Sequence, residues 1–245
     1  MYDLLIKGGL LYDGTGSAPV QAVVAVEGDR IVAVGEIEGE AREEIDASGR
    51  IVTPGFVDIH THFDGQVTWD PYLAPSSCHG VTTVVMGNCG VGFAPCKPHQ
   101  RDWLIGLMEG VEDIPGTALA EGIDWSWETF PEYLDALEQT PKVMDLATQV
   151  PHGAVRAYVM GERAVSDVAA DAKEREAMAN IVGEAIAAGA VGFSTSRTVL
   201  HRSIDGELVP GTEADAVELL QIAHAMGKNG GAVFEVASDL APEAA

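Results

Sequence analysis

Two histidines one residue apart, His60 and His62, are the side chains whose type and spacing could do chemistry. They close the segment Thr53-Pro54-Gly55-Phe56-Val57-Asp58-Ile59-His60-Thr61-His62-Phe63-Asp64, in which the apolar run Phe56 to Ile59 reads as a short buried strand. Side chains alternate along a strand, so residues i and i+2 share a side, about 7 Å apart at roughly 3.3 Å rise per residue. Two imidazoles at that separation can converge on one divalent ion, each about 2.0–2.1 Å from it. The chemistry would then be metal-dependent hydrolysis; the plain alternative is the polar end of a core strand. Asp58 and Asp64 could orient the imidazoles through their second ring nitrogens, with a simple turn role as the alternative for Asp64.

A second segment, Gly80-Val81-Thr82-Thr83-Val84-Val85-Met86-Gly87-Asn88-Cys89-Gly90, is a β-branched run ending in small and polar residues. If its strand lies parallel to the first, Cys89 reaches the same mouth as the histidines. A thiolate there would be a tight zinc ligand. The local residues leave two other readings open: a buried free thiol acting as a small hydrophobe, and a nucleophile, for which no His–Asn/Asp relay is evident. Cys78 and Cys96 carry no such argument.

The elements that must position these groups follow from pattern. Residues 1–53 alternate in strand fashion, with turn signals at Asp13-Gly14-Thr15-Gly16 and Glu27-Gly28-Asp29-Arg30, and predict a small antiparallel β-unit. From residue 54 to 245 short apolar runs alternate with helical stretches, the pattern of repeated βα units. Strands are predicted at 55–60, 81–87, 144–150, 190–194 and 231–236, and helices at 99–110, 127–139, 171–188 and 213–228. This α/β reading suits a TIM barrel, whose active site forms at the C-terminal ends of the strands. Five strands fall short of eight, and eight-stranded barrels typically need about 250 residues, so the barrel reads as truncated.

Composition narrows the partners. The chain has 245 residues, 47% of them hydrophobic, with 38 acidic against 14 basic residues and a formal charge of −24. A large core is possible, and nucleic acid or an anionic membrane is excluded as partner, since both require a positive footprint. No apolar run approaches the roughly 18 residues of a membrane span, and the first residues lack the basic and apolar regions of a secretory signal. Three cysteines are too few for a disulfide scaffold. A cytoplasmic setting is expected.

Together the His-Thr-His segment, the preceding β-unit and the Asn-Cys-Gly segment resemble the amidohydrolase superfamily, and more narrowly its N-acyl-D-amino-acid deacylase (D-aminoacylase) branch. The resemblance extends through His152-Gly153-Ala154-Val155-Arg156 and Gly192-Phe193-Ser194-Thr195-Ser196-Arg197-Thr198. It implies a zinc-bearing barrel with a β-sandwich built from both chain ends, one or two Zn2+ ions, and His60, His62 and Cys89 as ligands. The cysteine stands in place of the carboxylated lysine of other branches. The resemblance also implies a histidine ligand at the end of strand five, where this chain has Phe234-Glu235-Val236-Ala237, a further ligand on strand six, and a general-base aspartate beyond residue 245. Glu235 is weighed as a ligand-like carboxylate against a buried or helix-capping role.

For the substrate, His152 at a strand end is expected to face the pocket, with a structural loop contact as the alternative. Ser194 belongs to the same strand-end set. Arg197 suits a substrate carboxylate, which a guanidinium grips with two hydrogen bonds; its alternative is an ion pair anchoring a loop. Trp103, Trp125 and Trp127 line a pocket or pack in the core. His201 lies near Arg197 and Arg202, while His224 reads as helix packing, and His79 and His99 have no argument in their favour. The expected function is metal-dependent hydrolysis of N-acyl-D-amino acids, a small-molecule reaction. Two alternatives stand beside it: a cyclic-amide hydrolase of the hydantoinase type, and a catalytically incomplete fragment that needs a missing C-terminal half or partner chain.

Overall fold

Alternating valines and alanines build the first strands. The structure, a computed structural model, describes residues 1–165 and 168–239; the expected end of the barrel unit at residue 245 lies outside them. β1 (Tyr2–Lys7), β4 (Val23–Glu27), β5 (Arg30–Gly35) and β6 (Ala41–Asp46) form one sheet in the order β5-β4-β1-β6. β2 (Leu10–Leu11), β3 (Val20–Gln21) and β7 (Ile51–Val52) form another in the order β3-β2-β7. These sheets are mixed rather than antiparallel as expected: β1 runs parallel to β6 and β2 parallel to β7. Alternation reports which face a strand buries and is silent about its partner's direction.

The chain divides into two compact units, Met1–Phe56 and Val57–Ala245. β8 (Phe56–Asp58), β9 (Val81–Met86), β10 (Asp145–Pro151), β11 (Gly192–Arg197) and β12 (Val233–Ser238) make a five-stranded sheet in sequential order. The pairs β9–β10, β10–β11 and β11–β12 are parallel, as repeated βα units require. The helices are α1 (Arg101–Glu112), α2 (Gly116–Gly122), α3 (Phe130–Gln139), α4 (His152–Met160), α5 (Ala172–Ala188) and α6 (Ala216–Lys228).

Side-chain caps mark the starts of α3, α5 and α6. Thr129 with Glu132, and Asp171 with Glu174, form capping boxes at α3 and α5, and Asp215 accepts the Glu218 N–H at α6. By contrast α2 and α4 start at Pro115 and Pro151 with no side-chain cap. The sequence therefore carries no polar start signal for them, and His152 is the first residue of α4 instead of lying in a loop.

Val84, Met86, Val150 and Phe193 from the sheet, and Met178, Val182 and Ile222 from α5 and α6, are fully buried. Each contributes about 1.5–3 kcal/mol by leaving water. The edges differ: Phe56 and Val57 on β8, and Val233 and Val236 on β12, are exposed. Among the described residues no helix is long and apolar enough to cross a membrane.

Candidate metal centre

β8 and β9 are neighbours in the sheet, so the chain segments that leave them emerge together. His60 Nε2 lies 3.2 Å from Cys89 Sγ, and the His60 and His62 rings are 5.4 Å apart, inclined at 62°. One donor atom from each of His60, His62 and Cys89 falls within 4.8 Å of the others. His60 is exposed, His62 half-buried and Cys89 buried, so the cradle is closed at the thiol and open at one imidazole.

Cys89 reaches that position because of the glycines around it. Gly87 and Gly90 have φ of +75° and +74°, a region glycine enters without steric cost. A Cβ on Gly87 would stand 2.1 Å from the Gln149 carbonyl oxygen, and one on Gly90 would stand 2.9 Å from the Ser196 nitrogen. The loop can lie against β10 and β11 only without those side chains. Cys89 itself has φ +57°, a conformation uncommon for a residue other than glycine.

A buried polar network holds the loop there. Asn88 Nδ2 donates to the carbonyl of Thr61, between the two histidines, and to that of Val85, each at 3.0 Å. Gln149 Nε2 donates to Asn88 Oδ1 and to Glu235 Oε2, each at 2.8 Å. The Cys89 N–H donates to Glu235 Oε1 at 3.3 Å. Ser194 Oγ accepts the Gly90 N–H at 2.9 Å and donates to the Gly87 carbonyl.

Electrostatics favour a cation in the cradle. Burial, and then the neighbouring imidazoles of His60 and His201, pull His62 down to about 4, so at neutral pH it is an uncharged ring with a lone pair to give. Its Nε2 stands 3.2 Å from Glu112 Oε1, a neutral ring beside a carboxylate and not an ion pair. Burial first, and then the carboxylates of Glu235, Glu112 and Asp64, push the Cys89 thiol up to about 12. That opposes the nucleophile reading, since a reactive thiol needs a lowered pKa. Burial likewise raises Asp64 to about 7 and raises Glu112. Carboxylates and a thiol crowded beside neutral imidazoles are what a divalent cation neutralises, with release of protons.

The residues fit such an ion. Two imidazole nitrogens and one thiol sulfur are a borderline-soft donor set of the kind zinc takes. His62 Nδ1 is buried without a hydrogen-bond partner among the described residues, a polar atom in want of a bond.

The expected substrate residues are placed differently from one another. His152 is fully buried, with Nδ1 2.8 Å from Thr195 Oγ1 and Nε2 2.8 Å from Glu218 Oε1. Contrary to the expectation that it faces a pocket, it has no ring nitrogen left for a substrate. Its partner Glu218 also receives Arg156 Nε at 2.9 Å, which makes the cluster an internal tie between α4, β11 and α6. Ser194 is likewise fully buried and spends its hydroxyl on the Cys89 loop; it supports the cradle from behind. Arg197, half-buried at the end of β11, donates to the Ala214 carbonyl at 2.6 Å.

Asp58 accepts the His60 backbone N–H at 3.3 Å, not an imidazole proton, and Asp64 Oδ2 is buried without a partner among the described residues. Trp127 is buried, donates to the Phe93 carbonyl at 2.8 Å and packs 4.8 Å from the Tyr133 ring, which settles it in the core. Three residues at the site had no sequence signal for their roles. Glu112 arrives from the end of α1, Gln149 from within β10, and His201, bonded to Ser196 Oγ at 3.1 Å, from the loop after β11.

The amidohydrolase family profile matches residues 43–241. The chain belongs to the amidohydrolase family. Within that family it is 35% identical over 233 residues to the D-aminoacylase of Alcaligenes xylosoxydans xylosoxydans, covering 94% of this chain and 43% of that relative. A crystal structure of D-aminoacylase superposes with a TM-score of 0.77 at 33% identity, over 96% of this chain and 44% of that one. The N-acyl-D-glutamate deacylase of Bordetella bronchiseptica, solved with zinc and a phosphonate inhibitor that mimics the tetrahedral intermediate, superposes with a TM-score of 0.73 at 31% identity. It too is matched over 96% of this chain and 44% of its own. The amidohydrolase chain thus spans less than half the length of these relatives, and shares their α/β fold as a curled parallel half-barrel sheet.

Proposed function

We propose that this amidohydrolase belongs to a zinc-dependent enzyme that hydrolyses N-acyl-D-amino acids to a carboxylate and a free D-amino acid. The observation that carries the reading is the convergence of His60, His62 and Cys89 within 4.8 Å, in a chain 35% identical to a D-aminoacylase. His60, His62 and Cys89 are assigned to hold the ion. When bound, a divalent ion supplies a Lewis acid that polarises the scissile carbonyl and makes water more acidic.

The chain's own residues do the rest of what can be assigned. Neutral His62 keeps its lone pair for the site. The Asn88–Gln149–Glu235 network aims the Cys89 thiol. Arg197, near the mouth at the end of β11, is the group we assign to the substrate carboxylate, which a planar guanidinium recognises. The two small N-terminal sheets are read as part of the β-sandwich that accompanies such barrels. Three free cysteines among the described residues support a reducing, cytoplasmic setting, and a formal charge of −24 supports a small molecule over any polyanion as partner.

The test is a zinc-loaded 245-residue chain assayed with N-acetyl-D-amino acids, their L-enantiomers and a hydantoin. Release of the D-amino acid alone is expected. Opening of the hydantoin ring without deacylation overturns the substrate assignment in favour of a cyclic-amide hydrolase. Metal uptake without any turnover would support the binding half of the reading and contradict catalysis by this chain.

A further inference from the structure

Cys89 is held in a conformation that a non-glycine residue does not adopt unaided, with φ +57°. Such a residue stays put only where its surroundings over-determine it. The Gly90 N–H is fixed by Ser194 Oγ and the Asn88 side chain by Thr61, Val85 and Gln149, but the peptide nitrogen of Cys89 itself has a single acceptor among the described residues, Glu235 Oε1 at 3.3 Å. The other oxygen, Glu235 Oε2, is bound by Gln149 Nε2 at 2.8 Å. One carboxylate on β12 thus bridges the Cys89 peptide to a side chain of β10, and Gln149 passes the link on to Asn88.

The register explains why Glu235 can do this. It stands opposite Ser194, and Ser194 opposite Pro151, across β12, β11 and β10. Gly192 opens the way: a Cβ there would lie 2.7 Å from Gln149 Oε1, so any larger residue would crowd the Gln149 amide out of the bridge. The Glu235 carboxylate lies outside the cluster of three donors formed by His60, His62 and Cys89.

We propose that Glu235 is a positioning residue: its carboxylate clamps the Cys89 peptide so that the thiol faces His60 and His62. The inference rests on the metal reading above and adds to it the group that sets one ligand's direction. Outer partners of this kind typically change metal affinity about 10–100-fold when removed.

Two measurements on the 245-residue chain test it, using Glu235→Ala and Glu235→Gln with folding checked by far-ultraviolet circular dichroism. The first is amide hydrogen exchange of Cys89 without added metal. Loss of a hydrogen bond to a charged group predicts exchange at least about tenfold faster in E235A, with E235Q, which keeps one carbonyl oxygen, in between. The second is Co2+ titration in competition with a chelator, read by the thiolate-to-cobalt charge-transfer absorption. A 10–100-fold weaker affinity with a shifted band is expected for E235A, with partial rescue in E235Q. Unchanged Cys89 exchange, or cobalt affinity within about twofold of wild type beside an unshifted band, overturns the clamp. A wild-type chain that takes up no cobalt through sulfur overturns the metal reading instead, and amide exchange then decides the hold of Glu235 on Cys89 alone.

Discussion

Replacing Gly87 by alanine isolates what it takes to hang Cys89 over the histidines. Gly87 has φ +75°, and a Cβ there would stand 2.1 Å from the Gln149 carbonyl oxygen and 2.9 Å from its carbon. Both are backbone atoms of β10, so no side-chain rotation can relieve the overlap. Two costs add: about 1–2 kcal/mol for placing a non-glycine residue in the left-handed region, and about 1–3 kcal/mol for forcing an extra carbon into packed structure. The sum, about 2–5 kcal/mol, is a large part of the 5–15 kcal/mol typical of a domain. Gly206 supplies the control, since its φ is +85° and a methyl group there would meet nothing within 4 Å; Gly206→Ala should show the first cost alone. Urea unfolding of wild type, G87A and G206A by circular dichroism measures both. At an m-value near 3 kcal/mol/M, G206A should lower the midpoint by about 0.5 M and G87A by about 1 M or more. A G87A chain within about 0.5 kcal/mol of G206A would refute the reasoning, because β10 would then have moved aside without cost.

Three further outcomes are expected. Arg156→Met leaves the buried Glu218, 1% exposed at its side chain, with His152 as its one side-chain partner among the described residues; removing one partner of a buried pair typically costs about 3–5 kcal/mol, to be read from the urea midpoint at neutral pH. His152 is held neutral by burial, its pKa lowered from 6.5. The unfolded chain therefore takes up a proton below that value which the folded chain refuses, and the share of stability contributed by His152 falls as pH drops from 7.5 to 5.5. His152→Gln removes this share, so a wild type that loses no more stability than H152Q over that window contradicts the assignment. Asn88→Ala strips the donor from the buried Thr61 carbonyl, while the Val85 carbonyl keeps the Thr61 N–H and hydroxyl; about 1–3 kcal/mol for the one group left unpaired, together with weakened cobalt binding, is the expected result.

Much of the site was legible because its logic is local. Alternation along a strand puts His60 and His62 on one side, and the run into Gly87-Asn88-Cys89-Gly90 announces a strand end with small residues where a tight loop must form. What local pattern could not decide was the role of Cys89, since a ligand and a buried hydrophobe have the same neighbours in sequence. Its 3.2 Å approach to His60 comes from two strands lying side by side, a property of the sheet. Glu112 and Gln149 were invisible for the same reason: one is a charged residue at a helix end and the other a polar residue in an apolar strand, and only tertiary packing brings them to the cradle. His152 misled because a polar residue after a strand resembles a pocket residue. With no polar cap to mark α4, nothing in the sequence said that its ring would turn inward to Glu218. The parallel pairing of β1 with β6 escaped in the same way, as alternation does not carry direction.

The central claim is that Cys89 and the two histidines share one ion. Its most direct test is the charge-transfer absorption of the cobalt-loaded chain, compared between wild type, Cys89→Ser and Cys78→Ser, the last an exposed thiol outside the cradle. A thiolate-to-cobalt band in wild type and C78S that vanishes in C89S is the predicted result. A band that survives in C89S, or one that never forms in wild type, would contradict it.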